Sequence, residues 1–518
     1  MNTSGTASPF RIERRALPRP AAALLALLGV SVGAVLGVLP IEWAALALAA
    51  GIVAVVALAD PVAGLCAALI LGPTKPLTDV YVPALPLDLG QIALIATLGV
   101  WFLHAAPRHR IRVPHSPFTV PLLVFIGAAL LSLLNALSLG YALREVVKWL
   151  QVLLVMWLVI DMGARRRRVW VVVGAVLAAA AVQAAVGVWQ FGLRGDGPEH
   201  FLILGDRFYR AYGTFEQPNP YGGFLGLALA VALGLALAAL GKWARPVWAA
   251  VKTRRPVNLR SIVPALFNRG LLPLVGLAVL GALLGAGLVA SWSRGAWLGS
   301  AAAAVAVLFA WPRRSWAGAL LVIGGLVLGV AALEAGLVPV ALSARLTGFA
   351  QFVQPADVRG VDITTANYAV LERLAHWWAA QEMARYNLWL GVGIGNYEPV
   401  YPAYALMNWP QPLGHAHNFY LNLLAETGII GTVAYLLLWG VVIWHTWRVT
   451  RTAQGWRRGL AIGLLGTWVH LSVHHFVDKL FVANLHLHLG ALLGILTILV
   501  LQEPGLKPEE FTAIERED

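Results

Sequence analysis

Residues 270–311 read GLLPLVGLAVLGALLGAGLVASWSRGAWLGSAAAAVAVLFAW. Apart from Ser291-Trp292-Ser293-Arg294 the run is apolar, and it is about twice the roughly 20 residues that a helix needs to cross a bilayer. It therefore reads as two helices meeting at SWSRGAW, with Arg294 at a membrane interface in a tight turn and Gly295 behind it. A chain that enters and leaves hydrocarbon in this way is a multi-spanning membrane protein, and its composition agrees. Of 518 residues, 59% are hydrophobic and 12% charged, where soluble domains carry about 25% charged residues. The 21 tryptophans suit a chain with many membrane–water interfaces. The one cysteine, Cys66, lies in an apolar run and can form no internal disulfide. A net charge of +13 invites a nucleic-acid reading, but the basic residues fall mostly in short loops, where topology needs them, so no nucleic-acid partner is expected.

The same ruler finds about fourteen apolar stretches, starting near residues 20, 42, 62, 90, 117, 143, 169, 221, 270, 295, 316, 427, 459 and 486. The first, behind Arg11, Arg14, Arg15 and Arg19, is read as an uncleaved helix rather than a signal peptide. The third is short and ends in Pro73-Thr74-Lys75-Pro76, as a broken or half-crossing segment would. The expected fold is an all-α polytopic membrane protein of about 12–14 transmembrane helices. With both termini cytoplasmic, Arg108/Arg110/Arg112, Arg165–Arg168, Lys242 to Arg269, Arg313/Arg314 and Arg448/Arg451/Arg457/Arg458 all share the cytoplasmic side. The expected divisions are a basic N-terminus (1–19), helices over 20–191, an extracytoplasmic loop (192–220) and helices over 221–336. A large, partly helical extracytoplasmic loop (337–414), C-terminal helices (415–501) and an acidic cytoplasmic tail (502–518) follow. Within the large loop, Val370, Leu371, Leu374, Trp377 and Trp378 recur at helical spacing, an amphipathic stripe.

Several polar residues on the extracytoplasmic side ask for a reason. On physics alone Arg294 is either an arginine snorkelling from a helix end or a rigid guanidinium fork for an anion. In RFYRAYGTFEQPNP (207–220), Arg210 and the Pro218-Asn219-Pro220 turn are either a membrane-entry loop or a second anion site. Arg373, four residues before Trp377, is either a solvated surface arginine or a third. The GVGIGNY stretch at 391–397 lacks the strand and the spacing of a phosphate loop and reads as a flexible turn. His415 and His417 are two residues apart, unlike a metal pair on one helix face. His470, His474, His475 and Asp478 do include a four-residue spacing, which leaves a zinc site open beside plain helix-end packing. Spacing alone leaves His417 open between an interface residue and a proton carrier.

His417-Asn418, nine residues and then Gly428-Ile-Ile-Gly431-Thr432 resembles the signature of the O-antigen ligase family of membrane glycan transferases, which includes related polymerases and protein O-oligosaccharyltransferases. SRGAWLG at 293–299, RAYGTFEQPNPYGG at 210–223 and Arg373-Leu-Ala-His-Trp377 followed by GVGIGNY are similar to its other segments, in order and on one membrane face. GYALREVVKWLQ at 140–151 is consistent with it, and the likeness runs from about 120 to 500. The extra short segments and the long basic loop at 242–269 depart from the family pattern, away from the motifs. The resemblance implies a glycosyltransferase in the bacterial cytoplasmic membrane with its active site facing the periplasm. It would move a glycan from polyprenyl (undecaprenyl) pyrophosphate to a hydroxyl of lipid A–core or another glycan acceptor. No metal or cofactor is implied. The resemblance assigns catalytic roles to His417, Arg294 and Arg210, and substrate binding to Arg373, Asn418, His415, Asn219 and Trp377. A polymerase extending lipid-linked repeats is the near alternative. A polysaccharide transporter or flippase is the distant one, disfavoured because charges are scarce deep within the spans.

Overall fold

A computed structural model describes residues 40–83, 87–105, 113–163, 166–252, 259–347, 358–364 and 367–502. The basic N-terminus, the expected first helix near residue 20, Arg108/Arg110/Arg112, Arg165 and the acidic tail from 503 lie outside them. The described residues are almost wholly helical. The strand content among them is one antiparallel pair of two residues each, β1 (Leu202–Ile203) and β2 (Phe208–Tyr209), with Leu202 opposite Tyr209.

In chain order the helices are α1 (Ile41–Ala59), α2 (Pro61–Leu71), α3 (Lys75–Tyr81), α4 (Leu89–Ala105), α5 (Thr119–Ser132), α6 (Leu139–Met162) and α7 (Arg166–Gly192). Then come α8 (Pro218–Lys252), α9 (Leu259–Leu266), α10 (Leu271–Ala290), α11 (Arg294–Ala310) and α12 (Ser315–Glu334). The last are α13 (Val340–Thr347), α14 (Tyr368–Tyr386), α15 (Tyr397–Val400), α16 (Phe419–Thr452), α17 (Gly455–His474) and α18 (Leu485–Leu501). Among the described residues five helices are long and apolar enough to cross a membrane: α7, α8, α10, α12 and α16. Shorter apolar stretches lie in α1, α4, α5, α11 and α18. On α12 only 6% of the most apolar window is buried, and Leu320, Leu326 and Leu328 point outward. Such a surface is stable against lipid and costly against water.

The run at 270–311 breaks where its polar residues sit. α10 ends at Ala290, Trp292 takes a positive φ of 55°, and the Ser293 side chain caps α11 by accepting from Ala296 N–H at 3.4 Å. Pro73 and Pro76 interrupt the third segment as expected, leaving two short helices, α2 and α3. α17 packs into the middle of the molecule against α8 and α11, and α18 against α6. At Gly234 a Cβ would lie 2.3 Å from the Gly459 carbonyl oxygen, so these two backbones meet closely only because both residues are glycine.

The two ends of the bundle differ. At one, Arg313 donates to the carbonyls of Arg451 and Ala453, Arg451 to Pro312, and Arg458 to Thr450, Ala310 and Trp311. Guanidiniums there satisfy the last carbonyls of α11 and α16 and complement their dipoles. The other end gathers the starts of α8, α11, α16 and α18, the ends of α10 and α17, and residues 358–364 and 367–418.

The large loop is partly helical, carrying α13, α14 and α15. The buried face of α14 takes only Leu371 from the expected stripe and adds Ala375, His376, Ala379 and Met383. Alanines let α14 approach α16 closely, while the larger Trp377 and Trp378 flank the contact. The 391–397 stretch is a clamp rather than a flexible turn. Gly391, Gly393 and Gly395 all have positive φ, Asn135 Nδ2 donates to the Gly391 carbonyl, and Ile394 N–H donates to Ser132 Oγ.

Candidate active site

Three of the arginines singled out by sequence converge, and a fourth joins them. Arg210 leaves β2 with its Nε donating to the Ser291 carbonyl (3.0 Å) and Nη2 to Asn219 Oδ1 (3.1 Å). Asn219 lies in the first turn of α8, where flanking prolines suit helix initiation. Arg294 is the first residue of α11, and Arg373 lies on α14. Arg345, on α13, donates to the Trp292 carbonyl at 3.3 Å, and its Nε is buried without a partner. Burial first, then the charges of Arg345, Arg373 and Arg294, pull the Arg210 guanidinium below its ordinary range. Burial and then Arg294 and Arg373 do the same to Arg345. Four like charges brought close in a partly desolvated site are mutually destabilising, and an anion among them would relieve that cost. Arg345 was missed in the sequence because ALSARL (341–346) carries no motif that marks its arginine.

One turn along α14 from Arg373 stand His376 and Trp377, which bring the second cluster in. Trp377 Nε1 donates to the His417 carbonyl at 3.4 Å. His417 has φ 51°, a strained left-handed conformation for a non-glycine residue. The segment around it is pinned: Ala416 N–H donates to Asn422 Oδ1, and Phe419 N–H to the His475 carbonyl (2.8 Å). Asn418 is the N-cap of α16, its Oδ1 accepting from Tyr420 N–H (3.0 Å) and Leu421 N–H (3.1 Å). Its oxygen is thus committed to the helix.

The His417 ring faces Asp478, with Nδ1 3.8 Å from Oδ1; His415 Nε2 lies 3.6 Å from the same oxygen. Both nitrogens of His417 are buried without a hydrogen-bond partner. Burial raises Asp478, but the neighbouring His417, His415 and His474 outweigh it and hold the carboxyl well below its usual range. Burial, then the charge of His417, pushes His415 down to about 3. His376 bonds Tyr397 through Nδ1 (2.8 Å), stacks on Tyr401 and meets the His417 ring edge-on at 5.9 Å. Neither Asp478 nor His376 was singled out by sequence as a partner of His417, because the elements carrying them meet only in three dimensions.

Burial first, and then His417, push His376 down to about 4 from an ordinary 6.5. The unfolded chain therefore takes up a proton that the folded chain refuses, so stability is full above the unfolded value and falls as pH drops from 6.5 towards about 4. The melting temperature in detergent should fall across that window, and less steeply for His376→Gln.

The donor atoms of His415, His417 and Asp478 lie within 4.8 Å of one another, a spacing that could enclose a metal. The tautomer opposes it. His415 Nδ1 accepts the His417 N–H at 3.0 Å, so Nε2 carries the proton and offers no lone pair towards Asp478. The other zinc reading fares less well. His470 and His474 pack edge-on at 5.6 Å between glycines of α8 and α11, and they do not form such a group among the described residues.

Residues 277–436 match the family model described as O-antigen ligase. Over these residues the chain is similar to an O-antigen ligase domain. The matched stretch contains Arg294, Arg345, Arg373, His376, His415, His417 and Gly428, whereas Arg210, Asn219 and Asp478 reach the site from outside it. No curated protein matches the chain. The match, together with the membrane-length helices, supports a membrane glycan transferase of the O-antigen ligase or polymerase type.

Proposed function

We propose that the protein transfers a glycan from a polyprenyl pyrophosphate donor to an acceptor hydroxyl, most directly ligating O-antigen to lipid A–core at the periplasmic face of the bacterial cytoplasmic membrane. What supports this reading is that adjacent turns of α14, at Arg373 and at His376–Trp377, stand beside the four convergent guanidiniums and the buried His417–Asp478 pair respectively. In the proposed reaction, Arg210, Arg294, Arg345 and Arg373 hold the donor pyrophosphate. An acceptor oxygen attacks the anomeric carbon, a new C–O bond forms and the C–O bond to pyrophosphate breaks. The acceptor's proton passes to His417, and the arginines take up the charge left on the lipid pyrophosphate. Fixed donors of this kind supply about 3 kcal/mol each in a water-poor site. Asp478 steadies the imidazolium, the part an aspartate plays beside a catalytic histidine elsewhere.

Purified protein in detergent, given an oligosaccharide on polyprenyl pyrophosphate with and without lipid A–core, tests this. One transfer to core, unchanged by chelator, supports ligation; a ladder growing on the lipid without core would make the protein a polymerase at the same site. Movement of the glycan across a vesicle without covalent change would overturn both. Arg345→Ala should raise the donor KM more than it lowers kcat, by a combined loss on the order of 2 kcal/mol in kcat/KM, measured by varying donor at fixed acceptor.

A further inference from the structure

The stretch 140–148, GYALREVVK, opens α6 and puts charges inside the bundle beside the site. Glu145 accepts from Lys148 Nζ at 2.6 Å and lies 3.6 Å from Lys479 Nζ, whose side chain is 9% exposed. Lys479 follows Asp478, and its backbone N–H donates to Asp478 Oδ1 at 2.8 Å. The two neighbours therefore face opposite ways. Asp478 addresses His415 and His417, and Lys479 reaches into the bundle and anchors on α6. The anchor is firm. A Cβ on Gly395 would lie 2.7 Å from the Tyr141 carbonyl and 2.9 Å from Glu145 Cγ, so the clamp sits on the same turn of α6. Asn396 grips Ser138 N–H and carbonyl, and Glu426 on α16 accepts Tyr397 N–H at 3.3 Å. Buried charge pairs add little net stability compared with apolar residues of the same shape. A pair retained next to a reacting group is better explained by what it holds in place.

We infer that Glu145 and Lys479 are positioning residues, which fix the 475–484 turn so that the Asp478 carboxylate meets His417. This rests on the reading of His417 as the base. Placement errors of about 1 Å at a reacting pair cost on the order of 10²-fold in rate, and that is the scale expected here.

The test is transfer activity of Lys479→Met, Glu145→Gln, the double variant Glu145→Gln/Lys479→Met, Lys479→Arg and Asp478→Asn, each with a melting curve. Lys479→Met should lose about 10²-fold in kcat with donor KM little changed. Lys479→Arg, which keeps the charge and the reach to Glu145, should recover most of it. The double variant carries no unpaired buried charge from this pair and leaves the partly exposed Lys148 free to turn to solvent, so it is the one that must fold; it should melt closer to wild type than Lys479→Met does, yet stay slow. Adding Lys479→Met to Asp478→Asn should cost little more, since both act through one carboxylate. A double variant with wild-type kcat, a loss confined to KM, or fully additive losses would overturn the inference. His417→Ala runs alongside: if it stays active, the base reading has failed. If it is dead while Lys479→Met is normal, the positioning role alone has failed.

Discussion

His417→Ala should leave a folded protein whose kcat for glycan transfer is lower by about 10²–10⁴-fold, or roughly 3–5 kcal/mol in the barrier. The residue makes few contacts that folding depends on. Its ring nitrogens bond no other group, and the hydrogen bonds pinning the segment come from backbone atoms and from Asn418 and Asn422, which alanine leaves intact. Alanine would in fact adopt the positive φ no more easily than histidine does, so a modest fall in melting temperature accompanies the loss of rate. Donor binding should be nearly untouched, because the arginines reach the site from other elements. Single-turnover measurements with saturating donor separate the two effects. A variant that transfers glycan at the wild-type rate would remove His417 from the chemistry.

The second large effect is on folding. Gly428→Ala should lower stability by about 2–6 kcal/mol, a sum of backbone strain and overpacking. Gly428 interrupts α16 with φ 62° and ψ −164°, a conformation open essentially to glycine. A Cβ there would lie 2.3 Å from the carbonyl carbon and oxygen of Trp389 and 2.6 Å from Leu390 N. These are main-chain atoms, so no side chain can swing aside to make room. The break exists so that residues 388–392 can bond the helix: Ile429 N–H donates to the Leu388 carbonyl, Ile430 N–H to Trp389, and Val392 N–H to Ala425. Melting in detergent, with amide exchange over 388–393 and 425–430, checks both the cost and its location. Gly440 lies on the same helix with open space where its Cβ would go, so Gly440→Ala should be neutral or slightly stabilising. Equal behaviour of the two variants would show that the tight approach at Gly428 carries no energy.

The nine-residue spacing between Asn418 and Gly428 thereby acquires a physical sense. Asn418 caps the first turns of α16, about two and a half turns follow, and Gly428 ends them where the loop crosses. A motif whose pattern was legible in the sequence turns out to be a cap and a break that fix the short helical segment directly after His417. Helix starts were legible for a similar reason: apolar length and polar interruptions are local properties, as at Ser291–Arg294. So were Arg210, Arg294 and Arg373, once motif order placed them on one face. Arg345, His376, Asp478 and Glu145 were not. Each becomes meaningful through a neighbour more than 20 residues away, and periodicity reports which residues share a helix face, not which helix ends are adjacent. The amphipathic stripe read on α14 is only partly its buried face: Leu371 is buried, while Trp377 and Trp378 are half-buried beside the alanines that meet α16.

The guanidinium–carbonyl bonds at the far end of the bundle make its stiffness uneven. Arg313, Arg451 and Arg458 fasten α11, α16 and the start of α17 into one block. Those helices can part at the opposite end only by pivoting about that block. α11 has 17 residues. A helix of that length is about 25 Å long, so a tilt of about five degrees carries its first residue through about 2 Å. Arg294 is that first residue. The spacing of the arginine cluster is thus geared to fastenings at the opposite end of the bundle, the full length of α11 away from Arg294.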